Sequence, residues 1–336
     1  MRLSRPFFQL PVLFDVRRLQ AEVAALPAAA WAPHPDRLPG NSAARLISAG
    51  GGESESLHGQ MLPTRWLRAM PYLSQVLAGF GVVWSRSRLM RLAPGAGVPE
   101  HADINYHWHT RVRVHIPIFT GPEVRFHCDG EVLHMAAGEA WIFDNWRRHH
   151  VENKASSARI HLVADTTGTA AFWRFACGQA PPPQEWRTVA WDPAVSPKVL
   201  TEGDQRSPVM PPAEVQLLLD DLRAELMVAT ESADARARAA QFSGLLESFV
   251  LDWRQLCALN GVGGRGRADF LRLADALYEA AKPIAADLVM RTNSVGALLV
   301  LEKRVLQHLI LDDAAPAASV ISPTGAVRPD ARAGTG

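Results

Sequence analysis

Between residues 82 and 168 the chain reads as about seven or eight short strand-patterned runs with turns at close spacing, which favours a β-sandwich or jelly roll. No strand there alternates with a helix, so a doubly wound α/β fold is disfavoured. The clearest run is Arg111 to Thr120, R-V-R-V-H-I-P-I-F-T. Side chains alternate across a strand, so Val112, Val114, Ile116 and Ile118 share one face. Arg111, Arg113 and His115 share the other. Ala158 to Thr166 repeats the arrangement, with Arg159, His161 and Val163 opposite Ile160, Leu162 and Ala164. Asp129-Gly130 separates Val124–Cys128 from Glu131–Met135, and an Asp-Gly pair between such runs signals a tight hairpin. Val83 to Leu92 opens the series and stops at Pro94-Gly95. Ala140 to Asp144 and His149 to Glu152 belong to it as well.

The flanks have a different texture. Asp15 caps a helical pattern of Val16, Leu19, Val23, Ala24 and Leu26. Trp31 to Gly59 is rich in Pro, Gly and Ser and reads as loop with short strand pieces. A second helix is predicted from Pro71 to Gly79. Residues 179–211, with Pro181, Pro182 and Pro183, read as a connection. Amphipathic patterns then cover Glu214–Ala229, Asp234–Leu259, Arg267–Met290 and Val295–Leu311. The predicted organisation is a β-rich domain over 1–178, that connection, a helical region over 212–312, and a disordered tail over 313–336.

Composition removes several classes of function. A formal net charge of +1 offers nothing to a polyanion, so no nucleic-acid partner is expected. No apolar run reaches the length of a membrane span. The three cysteines, Cys128, Cys177 and Cys257, form neither a disulfide framework nor a zinc spacing. The first residues lack the pattern of a secretory signal, and the expected location is the cytoplasm.

The chemistry gathers between Pro99 and Arg159. P-E-H-A-D sets His101 and Asp103 two residues apart, so both share a face if the strand is unbroken. H-H-V-E-N supplies His149 or His150, which point to opposite faces of a strand. Two histidines and a carboxylate can hold one metal ion and leave positions open, as in non-haem Fe(II) oxygenases. Singly, each of these signals is weak, because histidines are numerous here and an exposed polar strand face is ordinary. The order is what strengthens them: H-x-D, a distal histidine, then an arginine one strand on. A guanidinium binds a carboxylate through two parallel hydrogen bonds.

Four blocks carry a resemblance: R-L-A-P-G-A-G-V-P-E-H-A-D, R-V-R-V-H-I-P-I, G-E-A-W-I-F-D-N-W-R-R-H-H-V-E-N and S-S-A-R-I-H-L-V-A-D. Together they resemble the aspartyl/asparaginyl β-hydroxylase family of Fe(II)- and 2-oxoglutarate-dependent oxygenases, closely over about residues 80–168 and loosely before them. The resemblance implies a double-stranded β-helix (cupin) core with N-terminal helices packed on it. It implies Fe(II), 2-oxoglutarate and O2. It makes His101 and His149 ligands and gives Arg159 the far carboxylate of 2-oxoglutarate, with Arg113 and His115 also touching the cosubstrate. The full H-x-D…H set, with Asp103, is similar to bacterial members that hydroxylate amino acids such as proline. Met90 stands where vertebrate members have a cosubstrate serine, and the segment from His101 to Arg113 is longer. In that insertion Tyr106 and Trp108 are candidates for the substrate entrance.

The expected activity is hydroxylation of an unactivated C–H bond. The substrate is a small-molecule amino acid, a carrier-bound aminoacyl group or a peptide. The alternatives are a cupin with a different metal-dependent activity and a non-catalytic interaction module. The helical stripes read as helix–helix contacts, with a homodimer through that region or a cover over the site as functional readings. Gly261 to Gly266 reads as a flexible interhelical loop rather than a phosphate loop.

Overall fold

A computed structural model describes residues 1–178, 181–204, 206–229 and 232–311. The tail expected to be disordered, 313–336, lies outside the described residues.

The strands that matter are β1 (Phe7–Leu10), β2 (Asn41–Ala49), β3 (Trp84–Leu92), β4 (Gly97–His101), β5 (Val112–Phe119), β6 (Val124–Cys128), β7 (Glu131–Leu133), β8 (Ala140–Phe143), β9 (His149–Asn153) and β10 (Arg159–Thr166). They form two antiparallel sheets. The larger runs β1-β8-β5-β10-β3-β2 and the smaller β7-β6-β9-β4. From β3 onward the chain passes repeatedly between the sheets, which is the winding of a double-stranded β-helix. The Asp-Gly hairpin forms as expected: Asp129 and Gly130 take φ of 51° and 78°, the left-handed pair that a two-residue hairpin needs.

Alternation on β5 decides what lies on each side of the large sheet. Val112, Val114, Ile116 and Ile118 are all buried in the main core with the N-terminal helices Val16–Ala24 and Pro71–Ala78. Each such side chain contributes about 1.5–3 kcal/mol when removed from water. The other face turns toward the small sheet. There a second set of apolar residues, Phe7, Leu92, Phe126, Phe143 and Val151, packs between the sheets.

The segment 31–59 departs from the expected loop. It contains the nine-residue strand β2, which pairs with β3. Ala43, Ala44, Leu46 and Ile47 are all buried, so both faces are covered and no alternation marks the strand. The connection after residue 180 lies along the β domain. Arg187–Val189 pairs in parallel with Val12–Phe14, and Glu202 binds Arg111 at 2.9 Å.

The helical region comprises α1 (Pro212–Glu225), α2 (Ala233–Asn260) and α3 (Arg267–Ala281). Three of the four expected helices are shorter than their patterns: the first ends at Glu225, the third at Ala281, and the fourth is split into the helical turns Ala297–Val300, Leu301–Val305 and Leu306–His308. After Ala281 the chain turns into a strand, Leu288–Met290, that pairs with Leu226–Val228. Their apolar stripes are covered within the chain: Val215, Leu218, Leu222, Phe242, Trp253 and Phe270 share one core. That core also takes in Ala102, Ile104 and Trp146 from the β domain. Trp146 is 1% exposed and joins the two regions. Trp146→Ala should therefore lower stability by about 3–5 kcal/mol, seen as a lower urea midpoint.

Candidate metal centre

The β4–β9 register places His101 directly across from His149. Their rings stand 4.2 Å apart between centroids. His150 points out of the sheet and stacks on His127 at 3.9 Å, so strand parity alone leaves it away from the centre. Asp103 lies past the end of β4, not on the strand as the i, i+2 reading expected. Its backbone N–H donates to the Asn145 carbonyl at 2.9 Å, which brings the carboxylate back beside the histidines. The ligand atoms of His101, Asp103 and His149 lie within 4.8 Å of one another, and all three residues are buried.

The polar groups around them are set for a cation. His101 Nδ1 donates to the Pro99 carbonyl at 2.8 Å and His149 Nδ1 to the Arg147 carbonyl at 2.9 Å. Those bonds fix the ring protons on Nδ1 and leave both Nε2 lone pairs free. Burial first, then His101, pushes the His149 pKa well below its ordinary value, so the ring is neutral and able to ligate. Neither Asp103 oxygen is hydrogen-bonded, although Arg113 Nη1 approaches Oδ2 to 3.1 Å. Arg113 offsets part of the charge of this buried carboxylate, and Oδ1, without a hydrogen-bond partner, is left for a second cation. Two imidazoles and a carboxylate in this state fit a ferrous ion.

Each ligand is supported from behind. Asp144 accepts from Trp146 N at 3.0 Å and from Arg147 Nε at 3.1 Å, which shapes the turn into His149. Arg113 bridges Asp103 and Asp165, reaching Asp165 at 3.3 Å. Asp165 also accepts from His107 Nε2 at 3.1 Å. Arg304, from the helical region, donates to the Ile104 carbonyl at 3.4 Å and lies 3.9 Å over the Trp146 ring. Asn293 donates to the Trp146 carbonyl at 2.8 Å. The helical region thus grips both segments that deliver ligands.

Beside the three ligands is a cavity lined by Arg113, His115 and Arg159, with Phe126, Phe143 and Val151 as apolar wall. Arg159 is 4% exposed, and its Nε has no hydrogen-bond partner. Nη2 donates to His161 Nδ1 at 2.7 Å. Burial alone pushes its pKa down to about 9, so at neutral pH it remains charged. His115 has no partner at either ring nitrogen. Burial, then the charges of Arg159 and Arg113, hold it well below its ordinary pKa and keep it neutral.

The entrance candidates lie elsewhere. Trp108 is fully buried and stacks under Arg113 at 4.4 Å. Tyr106 lines a separate cavity with His58 and His308, and its hydroxyl donates to Glu214. Sequence reasoning did not single out Arg86, Arg88 or Asp165, which also line the metal-side cavity. Arg86, Arg88 and Met90 share strand parity along β3. That parity was the available signal.

Residues 58–168 match the family model described as Aspartyl/Asparaginyl beta-hydroxylase. The matched segment contains His101, Asp103, His149 and Arg159. The chain is similar to L-proline cis-3-hydroxylase 1 of Streptomyces sp., 26% identical over 137 residues, 38% of this chain and 47% of the relative. The chain thus spans about half the length of that curated relative. Two solved structures are similar at lower identity. A 2OG-Fe(II) oxygenase family oxidoreductase from Burkholderia pseudomallei is 17% identical, with TM-score 0.35, covering 50% of this chain and 82% of that one. A Pseudomonas putida prolyl-4-hydroxylase is 14% identical, with TM-score 0.34, covering 50% and 95%.

Two outcomes follow for metal binding, measured by calorimetry with Mn(II). His149→Ala abolishes tight binding, whereas His150→Ala leaves it unchanged. Arg304→Met, at a residue outside the His101, Asp103 and His149 cluster, weakens binding roughly ten-fold by releasing the Asp103 segment.

Proposed function

We propose that this protein is an Fe(II)- and 2-oxoglutarate-dependent dioxygenase that hydroxylates an unactivated C–H bond of an amino acid or aminoacyl substrate. One observation carries the reading: the two histidines of a His-Asp-His cluster line the same cavity as a buried arginine, Arg159, that has no carboxylate partner among the described residues. A metal centre alone does not call for that guanidinium. A dicarboxylate cosubstrate does. The family match and the similarity to a proline hydroxylase support the same reading.

In this reading His101, Asp103 and His149 would hold the iron. Ferrous iron, when bound, supplies dioxygen activation coupled to oxidative decarboxylation of 2-oxoglutarate to succinate and CO2. The chain's own residues position the reactants. Arg159 takes the far carboxylate, and His161 fixes the plane of its guanidinium through Nη2. Neutral His115 offers an N–H into the cavity without adding charge. Arg113 holds the Asp103 carboxylate toward the centre and anchors itself on Asp165. Phe126, Phe143 and Val151 exclude water from the near wall. The substrate is amino-acid-like, whether free, carrier-bound or within a peptide. No described helix is long and apolar enough to cross a membrane.

With Fe(II) and 2-oxoglutarate the protein should form succinate, and a substrate screen by mass spectrometry should reveal a gain of one oxygen. Chelation of the metal removes both. Arg159→Ala should raise the apparent KM for 2-oxoglutarate roughly thirty-fold or more, the cost of losing one partner of a buried charge pair. An unchanged KM would show that the cosubstrate binds elsewhere.

A further inference from the structure

The wall that β3 gives to the cavity carries Arg86, Arg88, Met90 and Leu92, the inward positions of an alternating strand. The register with β10 orders them along the cavity. Arg159 pairs with Leu92, His161 with Met90 and Val163 with Arg88. Arg159 therefore sits at the Leu92 end and Arg86 at the opposite end, roughly 20 Å of strand away at about 3.3 Å per residue. The two arginines thus enter the cavity wall from positions at opposite ends of the strand.

Arg86 has the same unsatisfied character as Arg159. It is 3% exposed, and neither Nη atom has a hydrogen-bond partner. Glu55 Oε2 lies 3.9 Å away, beyond hydrogen-bonding range. Glu55 is already held by Arg45 at 2.5 Å and by Arg88 at 3.0 Å. Asp165, the carboxylate that shares this end of the cavity, is engaged by Arg113 and His107. The face of Trp108 lies 5.8 Å from Arg86, a distant cation–π contact rather than a charge partner. A buried guanidinium with free N–H groups facing a cavity is a site arranged for an anion.

We propose that Arg86, backed by Arg88, binds the α-carboxylate of a free amino acid substrate at the end of the cavity opposite Arg159. This rests on the oxygenase reading and narrows it. A carrier-bound aminoacyl group has no free carboxylate to offer, and a peptide side chain would place its own acid, not an α-carboxylate, there. Two buried cations at opposite ends would then orient cosubstrate and substrate independently.

The test is calorimetry on the full chain loaded with Mn(II) and saturated with 2-oxoglutarate. The probes are the proteinogenic L-amino acids, L-proline first among them, and their α-amides. The tightest-binding acid should bind at least ten-fold more weakly as its amide. Arg86→Gln should weaken binding of the acid at least ten-fold while leaving the amide and 2-oxoglutarate unaffected, and Arg86→Lys should keep the preference for the acid. Equal binding of acid and amide to the wild type overturns the proposal, as does a preference that survives Arg86→Gln. A protein that binds 2-oxoglutarate but none of the amino acids overturns it too. Should Arg86→Gln also lose 2-oxoglutarate, the wild-type comparison and Arg86→Lys decide. Failure of the oxygenase reading looks different: neither 2-oxoglutarate binding nor succinate formation.

Discussion

The centre depends on one strand register. His149 meets His101 because β9 pairs with β4 in that alignment, and a slip by one residue would turn His150 inward instead. The register shifts between His149 and Val151, and the approach there is close. A Cβ on Gly97 would lie 2.8 Å from the Val151 carbonyl oxygen, so only glycine fits. The carbonyls of Pro99 and Arg147 then hold the two rings. The two histidines are thus set face to face by the register of the small sheet.

The third ligand has another origin. Asp103 belongs to an irregular segment, and its neighbours Ala102 and Ile104 are buried in the core of the helical region. Its position is set by the Asn145 carbonyl, Arg113 and, through Ile104, Arg304. The helical region resembles an accessory domain in sequence. In the structure it is part of how the metal centre is assembled.

Much of this was legible in the residues. Alternation on β5 and β10 separated core from pocket, because a half-buried strand shows both faces in its sequence. Asp129-Gly130 marked its hairpin, and parity admitted only one of His149 and His150, the choice of His149 coming from the family resemblance. What escaped notice had physical reasons. Strand β2 is buried on both faces and shows no alternation. Asp103 reads as a strand position, and nothing local reveals that the strand stops at His101. Trp108 reads as a loop aromatic open to substrate, yet it fills the space beneath Arg113. The Arg86 environment depends on Glu55 and Asp165, both distant in sequence, and no local pattern predicts that meeting.

The grip of the helical region on Asp103 has a thermodynamic consequence. If that region favours the geometry that binds an ion, the ion must favour the docked helical region by the same free energy. Metal occupancy and the docking of a domain that contributes no ligand are then two readings of one coupled equilibrium. Loading the centre would tighten the surface on which the helical region docks, and loosening that surface would release the ion.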